Sequence, residues 1–385
     1  MNVLALEPWY GGSHRNFLDG LKEHSRHKFH PITMAARFWK WRMHGGAVTM
    51  ARKSVQAIEE GFKPDAVFAT DMANLPAVLA LARPYLDDVP VVLYLHENQL
   101  TYPLAPGVER DNTYAYINYL SALAADRIVF NSQFHLDEFM EALPTLLRAF
   151  PDYTHLDTVQ EIREKSTVLH VGMNLQGHDK YREEYPQPDW GPSMKSPIVL
   201  WNQRWEYDKN PEAFFRVMNR LDDSGHHFRL MLAGEHFQEQ PYEFEKAFGR
   251  YAERILHYGY VENFEEYSRL LHRSHIVVST ALHEYFGIAM MEAIYCGCHP
   301  LLPNRLSYPE LIPRHLHRPL LHAPVLYDDD DELFEILSNI IKRAERPLPI
   351  STLRTIPEPL GWRKQIDRYD DLLEGVTRSR ARHLV

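Results

Sequence analysis

Cysteine is almost absent. Only Cys296 and Cys298 occur among 385 residues, two positions apart, which argues against a disulfide framework and excludes a four-thiolate zinc site; a cytoplasmic setting is expected. No apolar run approaches the ~20 residues needed to cross a bilayer, so no membrane partner is expected. Positive charge is in deficit: 42 Lys and Arg against 52 Asp and Glu give a formal charge of −10. That argues against bulk, non-specific nucleic-acid binding, though not against a local basic face. The first six residues carry no basic lead and run into Glu7-Pro-Trp, so they are expected to be a strand and not a signal peptide. Several motifs are missing as well. There is no Gly-x-Gly-x-x-Gly, no Gly-x-Ser-x-Gly elbow and no His-x-x-x-His with a carboxylate among the 22 scattered histidines. Asp329-x-Asp331 has the spacing of an acidic metal-binding pair but lies in the acidic run 328–331, most simply a solvated loop. A dinucleotide site, a serine hydrolase and a resident metal are therefore not expected.

What is present is a repeated α/β pattern. Residues 3–6, 66–69, 91–95, 127–130 and 168–171 read as strands, with helical segments at 16–23, 47–60, 75–82, 113–124 and 136–143. Alternation of this kind predicts a parallel sheet covered by helices on both faces. Residues 173–197, rich in Gly, Pro, Gln and charge, suit a linker between a first domain, 1–172, and a second, 198–358. The pattern restarts with strands at 198–201, 229–233, 255–258, 276–279 and 300–302, and a terminal helix is expected over 362–374 within a last segment, 359–385.

The second half is organised around the stretch 279–298. A β-branched run, His275-Ile-Val-Val-Ser279, leads through a polar turn into a helix expected over 287–295 and closed by Gly297. A strand, a Gly-containing turn and a helix N-terminus suit an anion, because the first N–H groups of a helix lack intrahelical acceptors. Glu284 stands just before the helix and Glu292 within it. One Glu-x7-Glu by itself would be a surface and a helix glutamate; the apolar strand and the Phe286-Gly287 turn favour a ligand site.

Ligands of open α/β sheets bind at the carboxyl ends of the strands. The first strand ends in Gly11-Gly12-Ser13-His14, where the glycines let backbone approach a phosphate or sugar and Ser13 can cap the following helix. A plain tight turn explains that loop equally well taken alone. His96-Glu97-Asn98-Gln99 follows another strand and could grip sugar hydroxyls, with Asn131-Ser132 adding to the wall. After residue 201, Arg204 and Lys209 supply two cations that could neutralise a diphosphate leaving group without a metal. Alone they would be surface salt-bridge partners of Glu206 and Asp208; beside the Glu284 turn the phosphate role is preferred. Finally, Arg37-Phe-Trp-Lys-Trp-Arg-Met-His44 interleaves basic and aromatic residues. Packing beneath a loop would ordinarily account for it, but the same mixture offers phosphate contacts and stacking surfaces for unpaired bases, notably from Trp39, Lys40 and Arg42. The basic tail 378–383 adds positive charge.

Glu284, Phe286, Gly287, Ile288 and Glu292 resemble the signature of retaining glycosyltransferases of family 4. Adding the Gly11-Gly12, 38–42, 95–99, 130–132 and 204–209 motifs, the resemblance covers nearly the whole chain. It is similar to one subgroup, the tRNA-queuosine α-mannosyltransferases. The resemblance implies a GT-B fold: two Rossmann-like domains facing across a cleft, with the C-terminal helix crossing back to the first. It implies GDP-mannose as donor substrate, no cofactor, and as acceptor the cyclopentene-diol of queuosine at the wobble position of a tRNA anticodon loop. Glu284 would lie at the donor sugar and diphosphate together with His96, and Glu292 at the ribose. The backbone of Phe286–Ile288, Gly11 and Gly12 would line the donor site, with Arg204 and Lys209 at the diphosphate. Ser13, His14, Glu97, Asn98, Gln99, Asn131, Trp39, Lys40 and Arg42 would face the acceptor. Family members carry Gly after the Lys where this chain has Asn210-Pro211. Two other readings stand beside this one: a GT-B transferase using another donor or a lipid or polysaccharide acceptor, and a tRNA-binding protein without catalysis.

Overall fold

The computed structural model describes residues 1–105, 107–184, 186–187, 189–191, 196–235, 242–317 and 324–383, without the side chains of 379–383. The side chains of the basic tail beyond Arg378, and part of the expected linker, lie outside the described residues. Two compact units form: Met1–Met173 with the C-terminal stretch from Trp362, and Asn174–Gly361.

In the first unit six parallel strands, β1 (Asn2–Tyr10), β2 (Lys28–Ala35), β3 (Ala66–Thr70), β4 (Val91–Leu95), β5 (Arg127–Phe130) and β6 (Ser166–Val168), order as β2-β1-β3-β4-β5-β6. Every residue of β3 and β4 is buried, as expected where helices cover both faces. β2 escaped the sequence reading. It carries Pro31 and His30 and is only partly buried, a composition tolerated because β2 is an edge strand.

The second unit repeats the plan with β7 (Ile198–Asn202), β8 (Arg229–Ala233), β9 (Ile255–Gly259), β10 (Ile276–Val278), β11 (His299–Pro303) and β12 (Leu326–Tyr327), ordered β12-β11-β10-β7-β8-β9 and all parallel. Each unit has its own apolar core. The start of the expected linker is structured: a 3₁₀ turn, Leu175–Tyr181, sits in the second unit, with His178 Nδ1 2.7 Å from Ser268 Oγ.

The terminal helix, Trp362–His383, returns to the first unit. Trp362 is buried against Gly20 and Gly172, where a Cβ at either glycine would come within 2.0 and 2.3 Å of its ring. The Tyr369 hydroxyl donates to the carbonyl of His170 at 2.8 Å, and Asp370 accepts from Ser25 Oγ and the Arg26 N–H.

Candidate active site

In the second unit the helix Ile288–Tyr295 follows β10 after a nine-residue turn containing Glu284. Gly287 is not the first helical residue but the cap before it, at φ +95°, and a Cβ there would meet the Tyr308 ring at 2.9 Å. Only glycine combines that left-handed backbone with that approach. The Gly287, Ile288 and Ala289 N–H groups donate to no described residue, which leaves them for an anion. The Phe286 N–H, by contrast, points at Glu284 Oε1, 3.4 Å away.

Lys209 is placed differently from expectation. It is 6% exposed, and its ammonium contacts the His283 carbonyl at 2.8 Å, Asp208 at 3.1 Å and Glu284 at 3.2 Å. The His283 carbonyl and Glu284 accept two of its three N–H groups, while Asp208 Oδ2 is a charge contact without hydrogen-bond geometry, so Lys209 pins Glu284 in place. The Asp208 carbonyl also accepts the Leu282 N–H at 2.8 Å, fastening the Glu284 turn to the loop after β7. Arg204, with 37% of its side chain exposed, lies 3.4 Å from Glu206 and 3.7 Å from Asp208 and is the more accessible cation. The ion pairs with Glu206 and Asp208 are thus present, and Lys209 joins them to Glu284.

Glu292 accepts the Tyr267 hydroxyl at 2.7 Å. That tyrosine oxygen accepts from Asn202 Nδ2 at 2.9 Å, and the same amide nitrogen lies 3.2 Å from the Ala289 carbonyl. Because Asn202 donates, the tyrosine proton must face Glu292, which leaves the other carboxylate oxygen for a ligand. Burial pushes the Glu292 carboxyl up to about 7, offset in part by the Tyr267 hydrogen bond. Neither Tyr267 nor Asn202 was singled out from the sequence; they come from other elements, and no local spacing links them to Glu292.

In the first unit the helix Gly12–His24 starts at Gly11 without a side-chain cap. Ser13 is exposed and does not cap it, contrary to expectation. Close approach explains Gly11, since a Cβ there would lie 2.5 Å from that of Ala36. His14 is buried, with Nδ1 3.1 Å from Glu7 Oε2. Burial alone would lower its pKa, but the charge and hydrogen bond of Glu7 outweigh that and raise it to about 9. His96 lies against it, ring centroids 4.1 Å apart, and burial and the His14 charge hold it neutral. Its backbone N–H donates to Asp71 at 2.9 Å, while its Nε2 has no partner among the described residues. Burial raises the Asp71 carboxyl, against the His14 charge.

Glu7, inside the last half of β1, and Asp71, directly after β3, were missed, although the topology rule points to the carboxyl end of β3. Glu7, His14 and His96 are the group among the described residues whose donor atoms lie within 4.8 Å of one another. It does not fit a metal centre: Glu7 already accepts the Trp9 N–H at 2.8 Å and His14, and a metal ligand must be a neutral imidazole.

Three expected acceptor contacts are internal supports instead. Asn98 is fully buried, its Oδ1 accepting the Leu100 and Thr101 N–H groups at 2.9 and 3.0 Å. Asn131 donates to the His96 carbonyl at 2.9 Å and contacts His135 Nδ1 at 2.9 Å. Arg42 is buried, donating from Nε to the Ala35 carbonyl at 3.0 Å. Glu97 and Gln99 remain partly exposed and bonded to each other at 3.1 Å. Trp39 is half-buried on Tyr114, and Lys40 is exposed.

Residues 2–173 match the family model described as tRNA-queuosine alpha-mannosyltransferase N-terminal, and residues 184–329 match Glycosyl transferases group 1. The tRNA-queuosine alpha-mannosyltransferase of Drosophila melanogaster is 34% identical over 316 residues, 81% of this chain and 82% of that protein. The gpi3 subunit of phosphatidylinositol N-acetylglucosaminyltransferase from Schizosaccharomyces pombe is 23% identical over 49% of the chain and 41% of its own length. Among solved structures, sucrose-phosphate synthase from Thermosynechococcus elongatus superposes with a TM-score of 0.71 at 14% identity, covering 98% of this chain and 100% of that one. Anabaena Alr3699/HepE in complex with UDP gives 0.66 at 17%, covering 97% and 100%; at such identities these likenesses establish the fold alone. With its two parallel-sheet units, its Glu284 turn leading into the Glu292 helix and a relative matched over four-fifths of both chains, this chain is a glycosyltransferase and belongs to the tRNA-queuosine alpha-mannosyltransferase family.

Proposed function

We propose that the protein transfers mannose from GDP-mannose to the cyclopentene-diol of queuosine at the tRNA wobble position, with retention and without a resident metal or cofactor, in the cytoplasm. The observation that carries the donor half is the helix Ile288–Tyr295. It presents free N–H groups at its start and the open oxygen of Glu292 about 6 Å further along. A diphosphate followed by a ribose has that spacing. The mannose and queuosine come from the family relative, whose name states them.

In this reading Arg204 neutralises the diphosphate and Lys209 holds Glu284 against the donor sugar, while in the first unit neutral His96 keeps an Nε2 without a partner among the described residues as a hydrogen-bonding group. The bond from the anomeric carbon to the phosphate oxygen breaks and one to the acceptor oxygen forms. The acceptor proton passes to the departing phosphate, so no enzyme nucleophile is required. The test offers labelled GDP-mannose to tRNA bearing queuosine and to the same tRNA bearing guanosine, with and without EDTA. Labelling of the first alone, insensitive to EDTA, is expected; equal labelling of both overturns the acceptor, and loss with chelator overturns the metal-free chemistry.

A further inference from the structure

We propose that Phe38 and Trp41 form a built stacking platform for unpaired bases of the RNA acceptor; the proposal rests on the acceptor reading above. Phe38 is 73% exposed and Trp41 62%. Two large aromatics in solvent, one turn apart, are costly unless something covers them. Phe38 also has φ +56°, a left-handed conformation that disfavours a bulky residue and is kept where surrounding structure enforces it. Exposure and strain thus fall on one residue.

The platform is held rigidly from beneath. The Trp41 and Arg42 N–H groups donate to the Phe38 carbonyl at 2.9 and 3.1 Å, closing the short helix Trp39–Met43. Buried Arg42 ties that helix to the Ala35 carbonyl. The Trp41 ring lies on Gly45, where a Cβ would be 2.3 Å from the ring, so one side is backed by bare backbone. The alternation of residues therefore sorts by side: Trp39 and Arg42, which looked like contacts in the sequence, build the support, and Phe38 and Trp41 face outward.

Charge selects the occupant. Arg37 and Lys40 flank the two rings and are exposed, which suits a polyanion with aromatic groups of its own. The position agrees: Ala35 pairs in register with Tyr10 at the end of β1, and Ala36 packs on Gly11, so the platform adjoins the Gly11-Gly12 loop.

The test measures binding of a queuosine-containing anticodon stem-loop and of its guanosine counterpart to the full chain and to Phe38→Gly, Trp41→Ala and Trp41→Phe. Stacking tolerates sequence, so Phe38→Gly and Trp41→Ala should each weaken both RNAs about fivefold to a hundredfold, with Trp41→Phe retaining most binding. GDP affinity should not change. Phe38→Gly should melt no lower than the parent, because glycine relieves the φ strain; weaker RNA binding in a protein at least as stable cannot be loss of fold. Parent binding that survives both substitutions overturns the platform alone. A parent that binds neither RNA overturns the acceptor reading with it. Binding to anionic phosphatidylglycerol vesicles that is lost in these variants while RNA binding persists would assign the surface to a membrane and also overturn the proposal.

Discussion

Lys209 and Arg204 stand five residues apart and carry the same charge, yet their surroundings give them opposite tasks. Lys209 is buried between Asp208 and Glu284, so Lys209→Met leaves Glu284 without its cation. Asp208 keeps Arg204 at 3.7 Å, so the loss falls on Glu284 and should cost about 3 kcal/mol of stability in urea melts. Arg204 is half-exposed, so Arg204→Ala should cost less than about 1 kcal/mol but lower kcat on the order of a hundredfold. A destabilised Arg204→Ala with undiminished kcat would reverse the assignment. Glu292 gives a pH signature. Its carboxyl titrates at about 7 in the fold against 4.5 when unperturbed. Between those values the folded chain holds a proton that the unfolded chain has lost, so stability falls as pH rises through the window, and above about 7 the desolvation cost is complete. Glu292→Gln keeps the shape and the Tyr267 contact without that cost. Its melting temperature should exceed the parent's by more at pH 8 than at pH 5; an equal difference at both would show that Glu292 does not titrate there.

At the scale of elements, the terminal helix depends on one aromatic wedge. Trp362 fits between the backbones of Gly20 and Gly172, which leave no room for a methyl group. Gly20 lies in the interior of the helix Gly12–His24, where alanine is intrinsically better by about 1 kcal/mol. Overpacking against a ring only 2% exposed costs typically 1–3 kcal/mol. Gly20→Ala should therefore destabilise the protein despite its better propensity and hasten proteolytic release of the C-terminal helix. A more stable Gly20→Ala would show that the wedge can shift. The strands of both sheets were legible because a buried parallel strand is a run of apolar, β-branched residues. β2, β6 and β12 were not, for physical reasons: β2 is an edge strand carrying proline, β6 is a half-buried Ser-Thr-Val edge strand at 166–168 where 168–171 was expected, and β12 is two residues long. The helix Trp39–Met43, five residues long, has no period to detect.

For the molecule as a whole, a formal charge of −10 means that a polyanion would have to be held by a local surface, and Arg37 and Lys40 are exposed cations within 37–44. No helix among the described residues is long and apolar enough to cross a membrane. Each unit carries its own sheet and core, and each contributes a distinct set of groups: the Glu7–His14–His96 cluster in one, the Asp208–Lys209–Glu284 and Asn202–Tyr267–Glu292 clusters in the other.

Local chemistry made much of this readable in advance. The alternation of apolar runs and helical segments, the Gly11-Gly12 and Phe286-Gly287 turns, and the Glu284–Glu292 spacing are each properties of neighbouring residues, so the chain order alone determined the two-sheet plan and the segments that bear chemistry. Which side chains of those segments face outward, and what they touch, was decided by tertiary packing. Asn98, Asn131 and Arg42 look like ligand contacts in sequence and became internal supports, because buried backbone groups needed their hydrogen bonds. Lys209, expected at a phosphate, lies against Glu284, and Tyr267, 25 residues from Glu292, became the hydrogen-bond donor to Glu292. Contacts between distant residues depend on where the sheets bring them, and no local pattern encodes that.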